Sequence, residues 1–171
     1  MRLQITPQII ARSFMLCDAA SVFSTVDASR AYLREWLPWL DNISSIHDYE
    51  VFIQQSQIDE ASGVSLTLGL WDGDNCIGVC GFNSFAPVAK IGYWLAESYQ
   101  GQGIIQCACQ QLINYGFQQL NLKQITLQAA VDNYKSRAVA EKLGFTLQNI
   151  LPQHEWLYDH YVDHAVYVYA S

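Results

Sequence analysis

The stretch Gln100-Gly101-Gln102-Gly103-Ile104 constrains this chain more than any other. Before it, Lys90-Ile91-Gly92-Tyr93-Trp94-Leu95 is apolar and aromatic, as a strand is. After it, Ile104 to Leu120 carries helical spacing. Gln106, Gln110, Asn114 and Gln118 make a polar face, and Ala108, Leu112, Tyr115 and Leu120 an apolar one that packs on a sheet. A glycine-rich turn feeding a helix brings unpaired N–H groups and the positive end of the helix dipole to one place. Glycine lets a phosphate approach that backbone closely. A plain tight loop has the same short pattern. Two familiar phosphate motifs are disfavoured. There is no Gly-Lys-Ser/Thr ending, and the third glycine of the dinucleotide fingerprint is replaced by Ile104-Ile105-Gln106.

The order of elements narrows the reading. A second strand is expected over Ile125 to Ala130. Asn133 and Ser136 open a further helix, and Gly144 before Phe145 stops it. Upstream, Ile9 to Phe14 reads as a first strand. Cys17 to Trp36 reads as one or two helices broken before Pro38, and Ile46 to Asp59 as another helix. Val64 to Trp71 and Asn75 to Phe85 form a hairpin through Asp72-Gly73-Asp74. Two more strands are expected around Trp156 and from Ala165 to Tyr169. The fold class is α/β (α+β): one domain over 1–171, with a twisted, mostly antiparallel mixed sheet flanked by helices. Its parallel crossover contains the glycine turn.

From Ile91 to Phe145 this order, with its Gln-Gly-x-Gly turn and Asn-x-x-Ser…Gly-Phe spacing, resembles the core of the GNAT superfamily of acyl-CoA-dependent N-acetyltransferases. Within it the chain is similar to the RimJ/RimL branch, the ribosomal-protein N-terminal acetyltransferases. Leu33 to Leu40 resembles that branch's Trp-Leu-x-Trp segment. Trp156-Leu157-Tyr158-Asp159 and Asp163-His164 resemble its C-terminal hairpin, so the likeness covers nearly the whole chain.

The resemblance implies acetyl-CoA as co-substrate, held at a splay in the central strand. Its pyrophosphate is expected on the backbone of Gly101, Gln102, Gly103, Ile104 and Ile105, with Gln100 bordering the turn. Ile105 stands where the family usually has Gly or Ala, which the turn tolerates if the side chain enters the core. Trp94 and Leu95, with Ala96, are expected beside the thioester, where a backbone N–H can bind the carbonyl oxygen. Trp94 can equally be a core residue. Asn133 is expected on the cofactor arm and Ser136 near its sulfur, as donor of a proton to the thiolate, although both also serve as helix caps. Tyr134 is a weaker candidate acid on another helical face. Glu155 is the candidate base and holds the acceptor ammonium, against the plain reading of a solvated charge. Trp36 and Trp39, with Tyr32, are expected to border the acceptor cleft. Flat aromatics beside Glu35 and Asp41 would suit a basic chain. The acceptor is expected to be a protein N-terminal α-amine, attacked directly in a ternary complex. The alternatives are a small-molecule amine such as a polyamine or antibiotic, or a non-catalytic acyl-CoA-binding module.

Composition sets the outer limits. A net charge of −7 disfavours a nucleic-acid surface and suits a basic amine partner. No apolar run approaches the length of a membrane span, and Met1-Arg2-Leu3-Gln4 lacks the apolar core of a secretory signal, so a cytoplasmic location is expected. The five cysteines, Cys17, Cys76, Cys80, Cys107 and Cys109, read as reduced thiols. Cys107 and Cys109 point to different helix faces, and Cys76 and Cys80 to one strand face. His154, His160 and His164 lack metal-site spacing and read as surface or hairpin residues, so no metal is expected. Either a monomer or a homodimer fits.

Overall fold

The computed structural model describes residues 1–86 and 88–170. An eight-stranded sheet runs through them in the order β1-β2-β3-β4-β5-β6-β8-β7. The strands are β1 (Arg2–Gln4), β2 (Ile9–Ser13), β3 (Leu66–Asp72), β4 (Asn75–Ser84), β5 (Ala89–Leu95), β6 (Gln124–Ala130), β7 (Thr146–Leu157) and β8 (His160–Ala170). Every neighbouring pair is antiparallel except β5 with β6. The helices are α1 (Ala19–Ala28), α2 (Arg30–Arg34), α3 (Ile46–Ser62), α4 (Ile104–Gln118) and α5 (Tyr134–Lys142).

Local chemistry fixes the ends of these elements. Asp48 accepts from the Ser45 N–H at 2.8 Å while the Ser45 hydroxyl accepts from the Asp48 N–H, which closes the start of α3. At α5 the Asn133 side chain accepts the Ser136 N–H at 3.1 Å. Gly144, at φ 86°, ends that helix in the left-handed region that suits glycine.

The sheet separates two cores. On one face α4 and α5 bury Ile105, Ala108, Leu112 and Ala140 against Cys80, Phe82, Ile91 and Leu127. On the other, α1 to α3 bury Val22, Leu33, Tyr49 and Ile53 against Trp71, Val79 and Trp94. The expected parallel crossover β5–α4–β6 is present.

Three features differ from the sequence reading. Strand β1 was not anticipated, because three residues carry too little pattern. The last hairpin is longer, filling Thr146 to Ala170 around a tight turn in which Tyr158 takes φ 61°. Cys76 and Cys80 lie on opposite faces, not one. Between β3 and β4 the register slips, with Leu70 opposite Gly78 but Trp71 opposite Cys76. The extra residue in β4 turns Cys76 over to join Trp71, while Cys80 packs under α4.

Candidate active site

β5 and β6 pair only from Ala89/Ile125 to Ile91/Leu127, and beyond that they part. The Ala96 N–H bonds to Ile77 O of β4 at 2.8 Å. Strand alternation therefore turns the N–H groups of Tyr93 and Leu95 the other way, into the gap. The Leu95 carbonyl faces the same gap and accepts the Gln100 side-chain amide at 3.0 Å. Gln100 thus ties the glycine turn to the open edge of β5, a tighter role than bordering the turn.

Gly101 and Gly103 stand at φ 76° and 73°, in the left-handed region, as a turn of this shape demands. Gly103 is the N-cap of α4, and no side chain caps that helix. The first intrahelical bond to Gly103 O comes from the Cys107 N–H. The N–H groups of Ile104, Ile105 and Gln106 are therefore left for a ligand. A Cβ built on Gly101 or Gly103 meets no atom within 4 Å, so the space above the turn is open. This donor set and clearance fit a diphosphate. Ile104 and Ile105 are buried in the α4 core, the condition set above for isoleucine in this turn. Gly101, Gln102 and Gly103 are exposed on the rim.

The gap opens into a cleft of about 630 Å³. Its wall brings together Trp36, Trp39, Trp94, Leu95, Gln100, Ile105, Asn133, Ser136 and Glu155, which the sequence nominated from five separate segments. Trp94 is both core and wall: it is buried against the α1–α3 layer and lines the cleft. Trp36 and Trp39 are half-buried on the rim formed by the segment after α2. Two of the expected acidic neighbours do not reach the cleft. Asp41 is held by Arg34 at 2.8 and 2.9 Å, and Glu35 is exposed away from the wall. Tyr134 also lies outside it, 69% exposed, under the Arg137 guanidinium.

Ser136 has a partner that the sequence did not name. Its Oγ lies 2.7 Å from the Tyr93 hydroxyl, joining α5 to β5 on one face of the sheet. Burial pushes the Tyr93 phenol up, so it stays protonated and able to donate. Asn133 spends its side-chain oxygen on the Ser136 N–H, so it holds the serine as well as facing the cleft. Period-two alternation in Ile91-Gly92-Tyr93-Trp94 does send Tyr93 and Trp94 to opposite faces, but only the fold shows that α5 waits on the tyrosine side.

Glu155 reaches the cleft through a bulge. Leu151 pairs with His164 and Glu155 with Val162, so three residues of β7 stand opposite one of β8. Gln153, at φ 49°, absorbs the bend, and its N–H is held by Asp163 Oδ1 at 2.7 Å. Two surplus residues draw Glu155 one pleat along the hairpin, until its Oε2 is 3.3 Å from His164 Nε2. His154 packs on the His164 ring at 5.1 Å between centroids. All three clustered histidines lie in the hairpin as expected; His154 is exposed at the cleft edge, and His164 is buried in the cleft wall. The third, His160, is exposed and pairs with Asp159. The hairpin tip is clasped to the aromatic rim: the Tyr158 hydroxyl donates to Leu37 O, and the Arg34 guanidinium lies 3.7 Å over the Tyr158 ring. Among the described residues no cluster of three His, Cys, Asp or Glu could hold a metal, and no helix is long and apolar enough to cross a membrane.

An open strand edge beside an uncapped glycine turn, crossed by a parallel β–α–β unit, defines an acyl-transfer fold, and residues 8–146 match the Acetyltransferase (GNAT) domain. The chain belongs to this family of N-acetyltransferases. Among its relatives is the ribosomal-protein-serine acetyltransferase of Escherichia coli (strain K12), 34% identical over 149 residues, covering 85% of this chain and 83% of the relative. The structure of RimL, a ribosomal L7/L12 α-N-protein acetyltransferase in complex with coenzyme A, superposes with a TM-score of 0.94 at 26% identity, covering 99% of this chain and 98% of that one. The microcin C7 self-immunity acetyltransferase MccE, in complex with acetyl-CoA and AMP, superposes with a TM-score of 0.92 at 26% identity, covering 99% and 96%.

Proposed function

We propose that this chain acetylates a protein N-terminal α-amine of the ribosomal-protein type, with acetyl-CoA as donor, by direct attack in a ternary complex. The observation that carries this reading is the single carboxylate of the cleft. Among the described residues that line it, Glu155 is the one acid. The charged lysines of the same wall are Lys90 and Lys135, and Lys135 lies 5.0 Å over the Tyr32 ring. One anion in a cleft also lined by two lysines suits one ammonium and disfavours a polyamine, which needs several. The apolar rim of Trp36, Pro38 and Trp39 suits the first residues of a chain. An α-amine also releases its proton near pH ~8, against ~10.4 for lysine, so a carboxylate base suffices.

Each residue has a share. The N–H groups of Gly101 to Ile105 hold the diphosphate, and Asn133 faces the arm. When bound, the donor supplies an activated thioester at the splay. The Leu95 N–H, fixed in the gap, binds the carbonyl oxygen more strongly as charge grows on it. Glu155 accepts the ammonium proton, directly or through water. Ser136 gives its hydroxyl proton to the departing sulfur, and Tyr93 donates to Ser136 Oγ and so leaves that proton free. Work on newly made ribosomal-type chains puts the enzyme in the cytoplasm.

MccE favours a second reading. A close structural match that holds AMP beside acetyl-CoA points to a small-molecule amine as acceptor. The experiment is acetyl-CoA turnover against ribosomal-protein N-terminal peptides, lysine peptides, polyamines and aminoacyl nucleotides, read by mass spectrometry. Acetyl mass on a peptide α-amine is the expected result. Turnover confined to polyamines or aminoacyl nucleotides would replace this reading with the second.

A further inference from the structure

His164 is one of few buried polar side chains in the molecule, 9% exposed at the floor of the cleft. Its two ring nitrogens have different surroundings. Nε2 faces the Glu155 carboxylate at 3.3 Å. Nδ1 is fully buried and has no hydrogen-bond partner among the described residues. His154 covers one flank of the ring at 5.1 Å. A hydrogen on Nδ1 would be a buried donor with no protein acceptor among the described residues. A bare Nδ1 lone pair is the cheaper orphan. Of the two tautomers the surroundings therefore select the one with the hydrogen on Nε2, the nitrogen that lies 3.3 Å from the Glu155 carboxylate.

Resting on the reading of Glu155 as base, we propose that His164 is a positioning residue, an Nε2–H donor that grips Glu155 Oε2 and leaves Oε1 aimed at the acceptor amine. At 3.3 Å the contact is an ion-pair distance without hydrogen-bond alignment, and catalytic contacts of this kind tighten when substrate closes the site. The bulge serves this pairing. Without the two extra residues before Glu155, the carboxylate would stand opposite His160 and away from His164. Asp163 holds the bulge through Gln153, so consecutive residues of β8 fix the bend and the carboxylate. The other titratable side chains on the wall are Tyr32, Tyr49, Lys90, Tyr93 and Lys135. None is a carboxylate, so the donor has one anion to serve.

The test separates a donor from a space-filler. His164→Gln places an amide N–H near the Nε2 position, and His164→Leu fills volume with no donor. With a serine-initiated ribosomal peptide and acetyl-CoA, His164→Leu should lose roughly 10- to 100-fold in kcat, the worth of a hydrogen bond to a charged group. KM for acetyl-CoA should stay unchanged, and His164→Gln should stay within about threefold of the parent, its donor intact. In a Glu155→Gln background the leucine change should cost nothing further. Equal losses in both variants, no loss in either, or an undiminished loss in the Glu155→Gln background would overturn the proposal. Nitrogen-15 NMR of the imidazoles in the parent protein needs no acceptor. It should show the His164 hydrogen on Nε2, and a hydrogen on Nδ1 would overturn the proposal. If no α-amine is acetylated, the acceptor reading falls alone, and the tautomer still decides this one.

Discussion

Replacing Gly103 with alanine separates the cost of a backbone shape from the cost of a blocked ligand. Gly103 holds φ 73°, where an L-residue pays about 1–2 kcal/mol. A stiffer unfolded chain returns about 0.4–1 kcal/mol of that. The new Cβ meets no protein atom within 4 Å, so nothing further is lost in the free protein. The net loss should be about 1 kcal/mol, or roughly 2–4 °C in Tm for a chain of this size. With coenzyme A the outcome should differ, because the methyl occupies the space above the uncapped N–H groups. Losing one charge-assisted bond to phosphate costs about 1.5–3 kcal/mol, and at the upper end Kd weakens about 100-fold. At a coenzyme A concentration 100 times the parent Kd, the parent gains ~2.7 kcal/mol, and the variant only ~0.4 kcal/mol. Thermal melts with and without coenzyme A read both quantities, and calorimetry gives Kd directly. Gly63→Ala is the control. Gly63 has φ 69° at the end of α3 and nothing within 4 Å, so it pays the same backbone cost far from the turn. If both variants keep the full coenzyme A shift, the turn does not hold the diphosphate and the argument fails.

Other predictions follow from single contacts. Tyr93→Phe removes the hydroxyl that shares a hydrogen bond with Ser136 Oγ and should lower kcat by roughly 10-fold, with a smaller further loss when Ser136→Ala is added; additive losses in steady-state kinetics would show independent roles. Burial would raise the Asp18 carboxyl, but Arg12 at 2.7 and 2.9 Å and the Met15 N–H outweigh it and hold it below the ordinary range. Asp18→Asn should cost about 3 kcal/mol at pH 7 in urea unfolding. That stability is present above the unfolded carboxyl value of ~3.9 and disappears as pH falls through the lower folded value, so parent and variant should converge only in strong acid. Burial pushes the Cys76 and Cys80 thiols up to about 12 and raises Cys109 as well, while Cys17 and Cys107 are exposed. Ellman's reagent should therefore find two fast thiols in the native protein and all five after denaturation, and a third fast native thiol would refute the packing.

What the sequence made legible was chemistry that acts within a few residues. A left-handed glycine before a helix, an asparagine three residues ahead of a serine N–H, and an Asp-Gly turn between apolar runs each carry a local cause, and each appears where the spacing put it. The cofactor side of the cleft is built from such signals. The acceptor side is not. Glu155 meets His164 only through a bulge, and Tyr158 reaches Leu37 across 121 residues. No spacing rule joins those positions. The bulges were hidden for a different reason. Gln153 takes φ 49° without being glycine or asparagine, so the residue gives no sign of the bend. The slip in β4 likewise left Cys76 looking like a neighbour of Cys80.

The parting of β5 and β6 explains why residues from opposite faces of the sheet can share one reaction. Side chains alternate along a strand, so Tyr93 belongs to the α4–α5 layer and Trp94 to the α1–α3 layer. The same alternation in β8 places His164 opposite Ala165 and Tyr167, which lie in the α4–α5 core. In a closed sheet the Ser136 hydroxyl and the Glu155 carboxylate would be walled apart by paired backbone. Because the one parallel pair ends at Ile91 and Leu127, the wall has a slot, and both groups line the single cleft that passes through it. In the proposed reaction the amine enters from the side of Trp36, Trp39 and Glu155, and the sulfur leaves toward Ser136 and Tyr93. Base and acid on opposite sides of the carbonyl are what a direct attack requires, since the proton lost by the nucleophile and the proton gained by the leaving group are handled at different ends. A shuttle through a protein thiol would need a nucleophile in the slot. The buried cysteines nearest the sheet centre, Cys80 and Cys109, are packed in the core under α4, held protonated by burial and away from the cleft wall.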